Sequence, residues 1–407
     1  MTFALHDAIA ELATYNDDPA AGGITREVFT PTYERSVEFV SGLMRDAGLE
    51  VRRDAFGNLY GRLEGTDPSL PAVRTGSHVD TTLNAGRYDG VVGVLGAIEA
   101  MGSLLRDRRL RRAVEVVAFA GEEPRFASGC IGSRAVMGEL SRADLDRLVD
   151  RDGMSLAQAL AGAGFEPDAI ETALWDPASV HAFVELHIEQ GIVLESSGEQ
   201  IGVVTAIAAP HDLRITLRGA ADHAGATPMA LRRDALVGAA EAMVELEKLA
   251  VGSPSGTTVG TVGVMRVRPG AINVVPGEVE FDVDVRDSDA EARQAVVDGF
   301  LAAVRVMATT RGLTAVVDEI VRDEPGTCAP FIVEAADAAC ASLGVRPRHM
   351  ISGAYHDALI LSRKIPVGML FVPSAAGISH HPDEYTGRED IDRGAAVLGE
   401  VLATLAT

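Results

Sequence analysis

Lysine is almost missing from this chain. Lys248 and Lys364 are the only lysines among 36 basic residues, set against 59 acidic ones for a formal net charge of −23. Nucleic acid and anionic membrane surfaces are thereby excluded as partners, because both are bound by clustered positive charge. Cysteine is nearly as scarce. Cys130, Cys328 and Cys340 are too few for a disulfide framework and lack the paired spacing of a thiolate zinc site, so all three are assigned to the core. There is no apolar run of the roughly eighteen residues a membrane helix needs, and Met1 to Ala21 lacks the basic-then-apolar order of a signal peptide. A cytoplasmic protein is expected. No repeat period is visible, and the arginine bias is read as genomic. The rest is ordinary globular composition: 407 residues, 47% hydrophobic and 23% charged, more than one core usually holds.

Short apolar strands alternate with amphipathic helices through the first half, which predicts an α/β fold with a sheet flanked by helices. Strands are expected at Val73–Val79, Val114–Ala120 and Ala182–Ile188, with helices at Val91–Leu105 and Leu156–Gly162, the latter capped by Ser155. Each strand ends in a polar cluster, where α/β sheets bind ligands. After Pro210 the pattern changes. Alternation at Leu213–Leu217, a helix around Arg233–Leu249, strands at Thr257–Val267 and Val279–Val285, a helix at Ala290–Thr309 and a strand at Thr314–Val317 make a ferredoxin-like α+β order. From about Ala329 the first style returns, with helices at Phe331–Leu343 and His356–Ser362 and a buried strand at Pro366–Val372. Residues 210–326 are therefore read as an inserted domain, hinged at Ala209-Pro210 and Glu324-Pro325-Gly326, within a domain built from 1–209 and 327–407.

The strand ends carry the chemistry. His78 is followed by Asp80, and Asp89 precedes the next helix. An imidazole ligand needs a carboxylate or carbonyl on its other nitrogen to fix its tautomer, a part Asp80 can play. Glu122 and Glu123 follow the second strand. Neighbouring side chains there point in different directions, so one can bind a metal while the other faces its water. His187 closes the third strand, and His380 lies in Gly377-Ile378-Ser379-His380-His381-Pro382-Asp383-Glu384. Histidines and carboxylates gathered at separate strand ends match the ligands of a dinuclear divalent site with one bridging carboxylate. Arg286, ending an alternating strand, can bind a carboxylate bidentately or pair with Asp284 or Asp287.

Taken together these motifs resemble the M20-type, aminoacylase-like metallopeptidase clan, and within it the hydantoinase/carbamoylase amidases. The resemblance runs from about Gly22 to the C-terminus. It is carried by Asp54-Ala55-Phe56-Gly57-Asn58-Leu59, Gly76-Ser77-His78-Val79-Asp80, Tyr88-Asp89-Gly90, His187-Ile188-Glu189-Gln190-Gly191 and Asp222-His223-Ala224-Gly225-Ala226-Thr227-Pro228-Met229. Asn273-Val274-Val275-Pro276-Gly277, Ser352-Gly353-Ala354-Tyr355-His356-Asp357-Ala358 and Ser379-His380-His381-Pro382 extend it. The resemblance implies a zinc-peptidase-like catalytic domain with an inserted lid and dimerisation domain. It implies two divalent ions per subunit (Zn, Mn, Co or Ni) on His78, Asp89, Glu123, His187 and His380, with Asp89 bridging.

The same likeness makes Glu122 the general base that takes a proton from a metal-bridging water, with Asp80 holding His78. His223 is implied to serve the neighbouring site of a homodimer as an oxyanion donor; read alone, it is equally a loop or capping histidine. Asn273 and Arg286 are implied to take a substrate carboxylate, Gln190 and His356 to face the substrate, and Gly353 and Ala354 to offer backbone amides. The implied reaction cleaves the carbamoyl C–N bond of a small anionic N-carbamoyl (ureido) amino acid to amino acid, ammonia and carbon dioxide. Allantoate and ureidoglycolate amidohydrolases share the centre. N-acyl amino acid deacylases and aminopeptidases lack the full His-Ile-Glu-Gln run, and non-catalytic relatives lose ligands that are all present here. Two departures stand out: Glu122-Glu123-Pro124-Arg125-Phe126 is one residue shorter than the family's usual loop, and Tyr88 stands where Phe is commoner.

Overall fold

Four strands buried along almost their whole length lie side by side and parallel, as expected of strands covered on both faces. In the computed structural model, which describes residues 4–106 and 108–407, they run in the order Val114–Phe119, Ala72–His78, Val180–Ile188, Val367–Val372. Antiparallel strands extend both sides: Leu59–Leu63 and Glu50–Arg53 beyond the first, Gly202–Ile207 beyond the last. Parallel order forces the carboxyl ends of the four central strands to one edge. The register fixes the depth of that edge, with His78 opposite Phe119 and Phe371 opposite His187.

Helices cover the sheet. Val91–Glu99 is apolar at almost every position and buried throughout its first two turns; the helix predicted to Leu105 continues there in the wider π register of Ala100–Leu105. Arg388–Ala406 packs against it and against the central strands. Leu156–Gly162 begins at Ser155 in a capping box, the Ser155 side chain accepting from Gln158 N–H and the Gln158 side chain from Ser155 N–H, two otherwise orphaned donors satisfied at once. The sheet and these helices share one core, including Val94, Leu95, Val116, Val184, Leu370 and Leu398.

The chain divides into two compact units. The first comprises Met1–Thr205, Thr327–Ser352 and His356–Thr407, and the second Ala206–Gly326 together with Gly353–Tyr355. Ala209 and Pro210, read from sequence as a boundary, begin a strand instead. Pro210 needs no ladder donor because its carbonyl does the pairing, accepting from Asp323 N–H and from the Arg293 guanidinium.

The second unit is a four-stranded antiparallel sheet in the order Thr314–Arg322, Ala209–Arg218, Glu278–Asp287, Val259–Arg268. Glu278–Asp287 alternates strictly between half-buried and buried positions, the signature of a sheet covered on one face. Its inward residues Val279, Phe281, Val283 and Val285 meet Leu213, Ile215 and Leu217 and the helices Ala235–Val251 and Ala290–Arg311. Asp234 and Asp289 cap those helices, each accepting two backbone amides. No helix among the described residues is long and apolar enough to cross a membrane.

Candidate active site

All five residues expected as ligands lie in the first unit, at or beyond the carboxyl edge of its sheet. His78 is the last residue of its strand, and its Nδ1 lies 3.1 Å from the Asp80 carbonyl oxygen. That contact places the proton on Nδ1 and leaves Nε2 with a free lone pair. His187 repeats the arrangement, Nδ1 lying 2.9 Å from the Ile188 carbonyl oxygen. The Gly90 N–H points at His187 Nε2 from 3.2 Å, which fits a lone pair on that nitrogen. Gly90 itself must be glycine: it has φ 65°, and a Cβ there would lie 2.4 Å from the His78 ring.

Asp89 sits between two donor groups and shows a different oxygen to each. Oδ1 is 3.1 Å from His187 Nε2 and 3.9 Å from His78 Nε2, whereas Oδ2 is 2.9 Å from His380 Nε2. His380 Nε2 is in turn 3.4 Å from Glu123 Oε1. Two compact sets result, His78–Asp89–His187 and Asp89–Glu123–His380, each able to hold a metal ion and sharing only the one carboxylate. Oδ1 of Asp89 is buried and has no hydrogen-bond donor among the described residues. An anionic oxygen facing imidazole lone pairs is stabilised by a cation between them, and the mixed N/O set suits borderline divalent ions. The residues therefore fit the expected metal.

The candidate base stands beside these sets. Glu122 Oε2 is 3.8 Å from His78 Nε2. Burial, and then the charges of Glu123, Asp357 and Asp89, push its carboxyl up although His78 pulls it down; burial and the Asp89 charge push Glu123 up to about 7. Asp80 does more than sequence reasoning assigned to it. Its carbonyl, rather than its carboxylate, makes the closer contact with His78, the carboxylate oxygen being 3.6 Å from Nδ1. The carboxylate accepts the amide of Glu122 at 3.3 Å and of Glu123 at 3.0 Å, so one side chain aims both acids. The shortened loop is held by Arg125, whose guanidinium donates to the Val28 carbonyl and to Asp150.

Cys130, expected in the core, is buried but lies against the base, its Sγ 3.5 Å from Glu122 Oε1. Burial pushes its thiol well up, so it is a neutral donor rather than a nucleophile. Arg26 is a further residue that sequence reasoning missed. Its guanidinium, fully buried, donates to the carbonyls of Val79, Leu12 and Tyr15, and its backbone amide donates to the Thr81 hydroxyl. It fixes the turn that carries Asp80.

Comparison with known proteins settles the class. A profile of the peptidase family M20/M25/M40 matches residues 74–404. The chain belongs to that family. The N-carbamoyl-L-amino-acid amidohydrolase of Paenarthrobacter aurescens is 41% identical over 98% of this chain and 96% of its own length. The ureidoglycolate hydrolase of Arabidopsis thaliana is also 41% identical, over 98% and 86%. A crystal structure of a hydantoinase/carbamoylase family amidase from Burkholderia multivorans superposes with a TM-score of 0.88 at 33% identity, covering 99% of this chain and 97% of that one. This M20-family chain is an amidohydrolase, a hydrolytic enzyme acting on amide C–N bonds.

The residues expected to meet substrate fall into both units. Gln190, in the first, has left-handed backbone (φ 57°); its side-chain N–H donates to Asp89 Oδ2 at 3.0 Å, and its side-chain carbonyl oxygen is buried without a donor among the described residues. His356 is fully buried behind His187, ring centroids 4.6 Å apart, with Nε2 2.9 Å from the Ser352 hydroxyl. Glu185 joins them, but its oxygens are taken by the Ser77 hydroxyl and the Ala358 amide, which makes it a support for the sheet edge.

In the second unit His223 is exposed, and its Nδ1 accepts the amides of Gly225 and Ala226 at 3.1 Å each. The ring proton is thereby placed on the outward Nε2. Asn273 is next to it, its carbonyl accepting the Ala224 amide. Arg286 is paired through Nε and Nη2 with Asp284 at 2.9 and 2.7 Å. Gly353 and Ala354, although flanked by first-unit segments, group with this second unit along with Tyr355, whose hydroxyl donates to Asp323.

Proposed function

We propose that the chain hydrolyses the carbamoyl C–N bond of a small anionic ureido acid of the N-carbamoyl amino acid type, converting it with one water to the amino acid, carbon dioxide and ammonia. The observation that carries the reading is Asp89, which turns one oxygen toward His78 and His187 and the other toward Glu123 and His380. Two divalent ions held by these five side chains would supply Lewis acidity at the carbonyl and a water acidic enough to be deprotonated near neutral pH. Glu122 takes the proton of the attacking water and returns it to the departing nitrogen. A carboxyl pushed up by burial suits both halves of that transfer.

The other roles follow from donor chemistry. The side-chain carbonyl of Gln190, without a donor among the described residues, is an acceptor for a ureido N–H. Asn273 and Arg286 take the carboxylate, for which Arg286 must exchange its Asp284 partner, and Gly353 and Ala354 add amides. His223 donates through Nε2 to the developing oxyanion, across the interface of a homodimer, and His356 holds His187 in place from behind. Ureidoglycolate or allantoate hydrolysis by the same centre is the alternative, favoured by the equal identity to the Arabidopsis relative.

A panel of N-carbamoyl-L-amino acids, N-carbamoyl-β-alanine, allantoate and ureidoglycolate, scored by ammonia release, decides between them. Activity should vanish on chelation and return with Mn²⁺, Zn²⁺, Co²⁺ or Ni²⁺. Full turnover after exhaustive metal removal refutes the mechanism, and turnover of none of the ureido acids refutes the substrate class.

A further inference from the structure

Glu384 lies four residues beyond His380 and far in sequence from Asp89, yet the residue is only 4% exposed and its carboxylate bridges the Asp89 turn and Ser379. Oε1 accepts both the Tyr88 amide at 2.8 Å and the Asp89 amide at 3.2 Å. Oε2 accepts the Ser379 hydroxyl at 2.9 Å, and that hydroxyl is also 3.3 Å from Asp89 Oδ2. The ring of Tyr385, the next residue, packs edge-on against Tyr88 with centroids 5.9 Å apart. The opposite side of the carboxylate is closed by Gly86, where an added Cβ would lie 2.3 Å from the Glu384 side chain.

We propose that Glu384 is a positioning residue that latches the His380 loop to the Asp89 turn and thereby sets the affinity of the Asp89–Glu123–His380 group for its cation. The proposal rests on reading those three residues as cation ligands. The other group has separate anchors, since His78 and His187 are oriented by the carbonyls of Asp80 and Ile188. Asp89 is common to both groups, so loss of Glu384 should weaken the Asp89–Glu123–His380 cation more than the other, because only that group also loses the hold on the His380 loop. His380, itself exposed and in left-handed backbone (φ 54°), reaches Asp89 through its ring, and the Ser379–Glu384 contact ties its backbone neighbour to the same turn.

The test is Mn²⁺ titration of the wild type, Glu384→Ala, Glu384→Gln and Gly86→Ala by calorimetry, with spin resonance to separate coupled from isolated Mn²⁺. Glu384→Ala and Gly86→Ala are expected to weaken one of two binding events by about 10–100-fold, the range for a lost ligand support, and to replace the coupled spectrum with that of isolated Mn²⁺. Glu384→Gln keeps an oxygen for both amides and should retain both events and the coupled spectrum. Unchanged Mn²⁺ affinity in Glu384→Ala overturns the latch, as does equal weakening of both events. A wild type that binds no Mn²⁺ at all overturns the ligand reading beneath it. If Glu384→Ala does not fold, Gly86→Ala carries the same comparison.

Discussion

Replacing Asp212 with asparagine should stabilise the second unit at alkaline pH. Asp212 stands directly opposite Asp284 in the antiparallel pairing of Ala209–Arg218 with Glu278–Asp287, a like-charge pair that costs stability. The Arg286 guanidinium is bound to Asp284; its charge also pulls the Asp212 carboxyl down, but by less than burial and the Asp284 charge push it up, and Asp212 Oδ1 is buried without a donor among the described residues. Burial, and then the Asp284 charge, push the Asp212 carboxyl up to about 7. In the unfolded chain it titrates near ~3.9.

The folded state therefore holds the proton more tightly, and stability falls as pH rises from roughly 4 to roughly 7, where the unfolded chain has already released it. A difference of that size is worth ~4 kcal/mol at 1.36 kcal/mol per pH unit. Because the side chain is partly open to solvent, screening reduces it to about 1–2 kcal/mol. Asparagine keeps the shape and cannot ionise. Parallel urea unfolding of wild type and Asp212→Asn should show the variant about 1–2 kcal/mol more stable at pH 8 and the gain shrinking toward pH 4. A variant no more stable than wild type at pH 8 would mean that the Asp212 carboxylate is ionised and partnered, and the reasoning fails.

Three further outcomes are expected. Glu122→Gln should lower kcat by about 10²–10⁴ while leaving Mn²⁺ stoichiometry unchanged; a kcat within tenfold of wild type removes Glu122 from proton transfer. Gly90→Ala should abolish metal binding at the His78–His187 group, because its Cβ would occupy space 2.4 Å from the His78 ring; retained stoichiometry by elemental analysis contradicts the packing argument. His223→Ala and Glu122→Ala proteins, each inactive, should regain about a quarter of wild-type activity when re-equilibrated as a one-to-one mixture, if heterodimers form statistically and each contains one intact shared site. No recovery after demonstrated subunit exchange refutes the shared site.

Much of the fold was readable because its dominant signals are local. Short, mainly apolar segments alternating with helical patterns announced the parallel strands, strict alternation announced Glu278–Asp287, and Ser155 announced its helix. His78, His187, Glu122 and Glu123 were readable for a related reason: polar residues at the ends of apolar runs have few other uses. What escaped was long-range. The amides of Tyr88 and Asp89 meet Glu384 almost three hundred residues away, at a sequence separation of 295 for Asp89, and nothing in an isolated Pro-Asp-Glu segment reveals that partner. Cys130 reads as a small apolar residue, and only its left-handed backbone (φ 56°) and the hydrogen bond its N–H donates to the Glu122 carbonyl turn the thiol toward the base. Gly353–Tyr355 grouping with the second unit was equally hidden, because a three-residue excursion leaves no trace in periodicity.

Arg26 gives the first helix an importance its position does not suggest. The Leu12 and Tyr15 carbonyls at the end of Leu5–Leu12 receive the same guanidinium that donates to Val79, one residue before Asp80. Burial lowers that guanidinium to about 10, so it remains a cation at physiological pH and needs every acceptor it has. Trimming the chain through Leu12 would strand a buried charge against the turn that aims Glu122 and Glu123. The expected damage is to catalysis as well as stability, which makes Leu5–Leu12 a poor segment to remove from this enzyme.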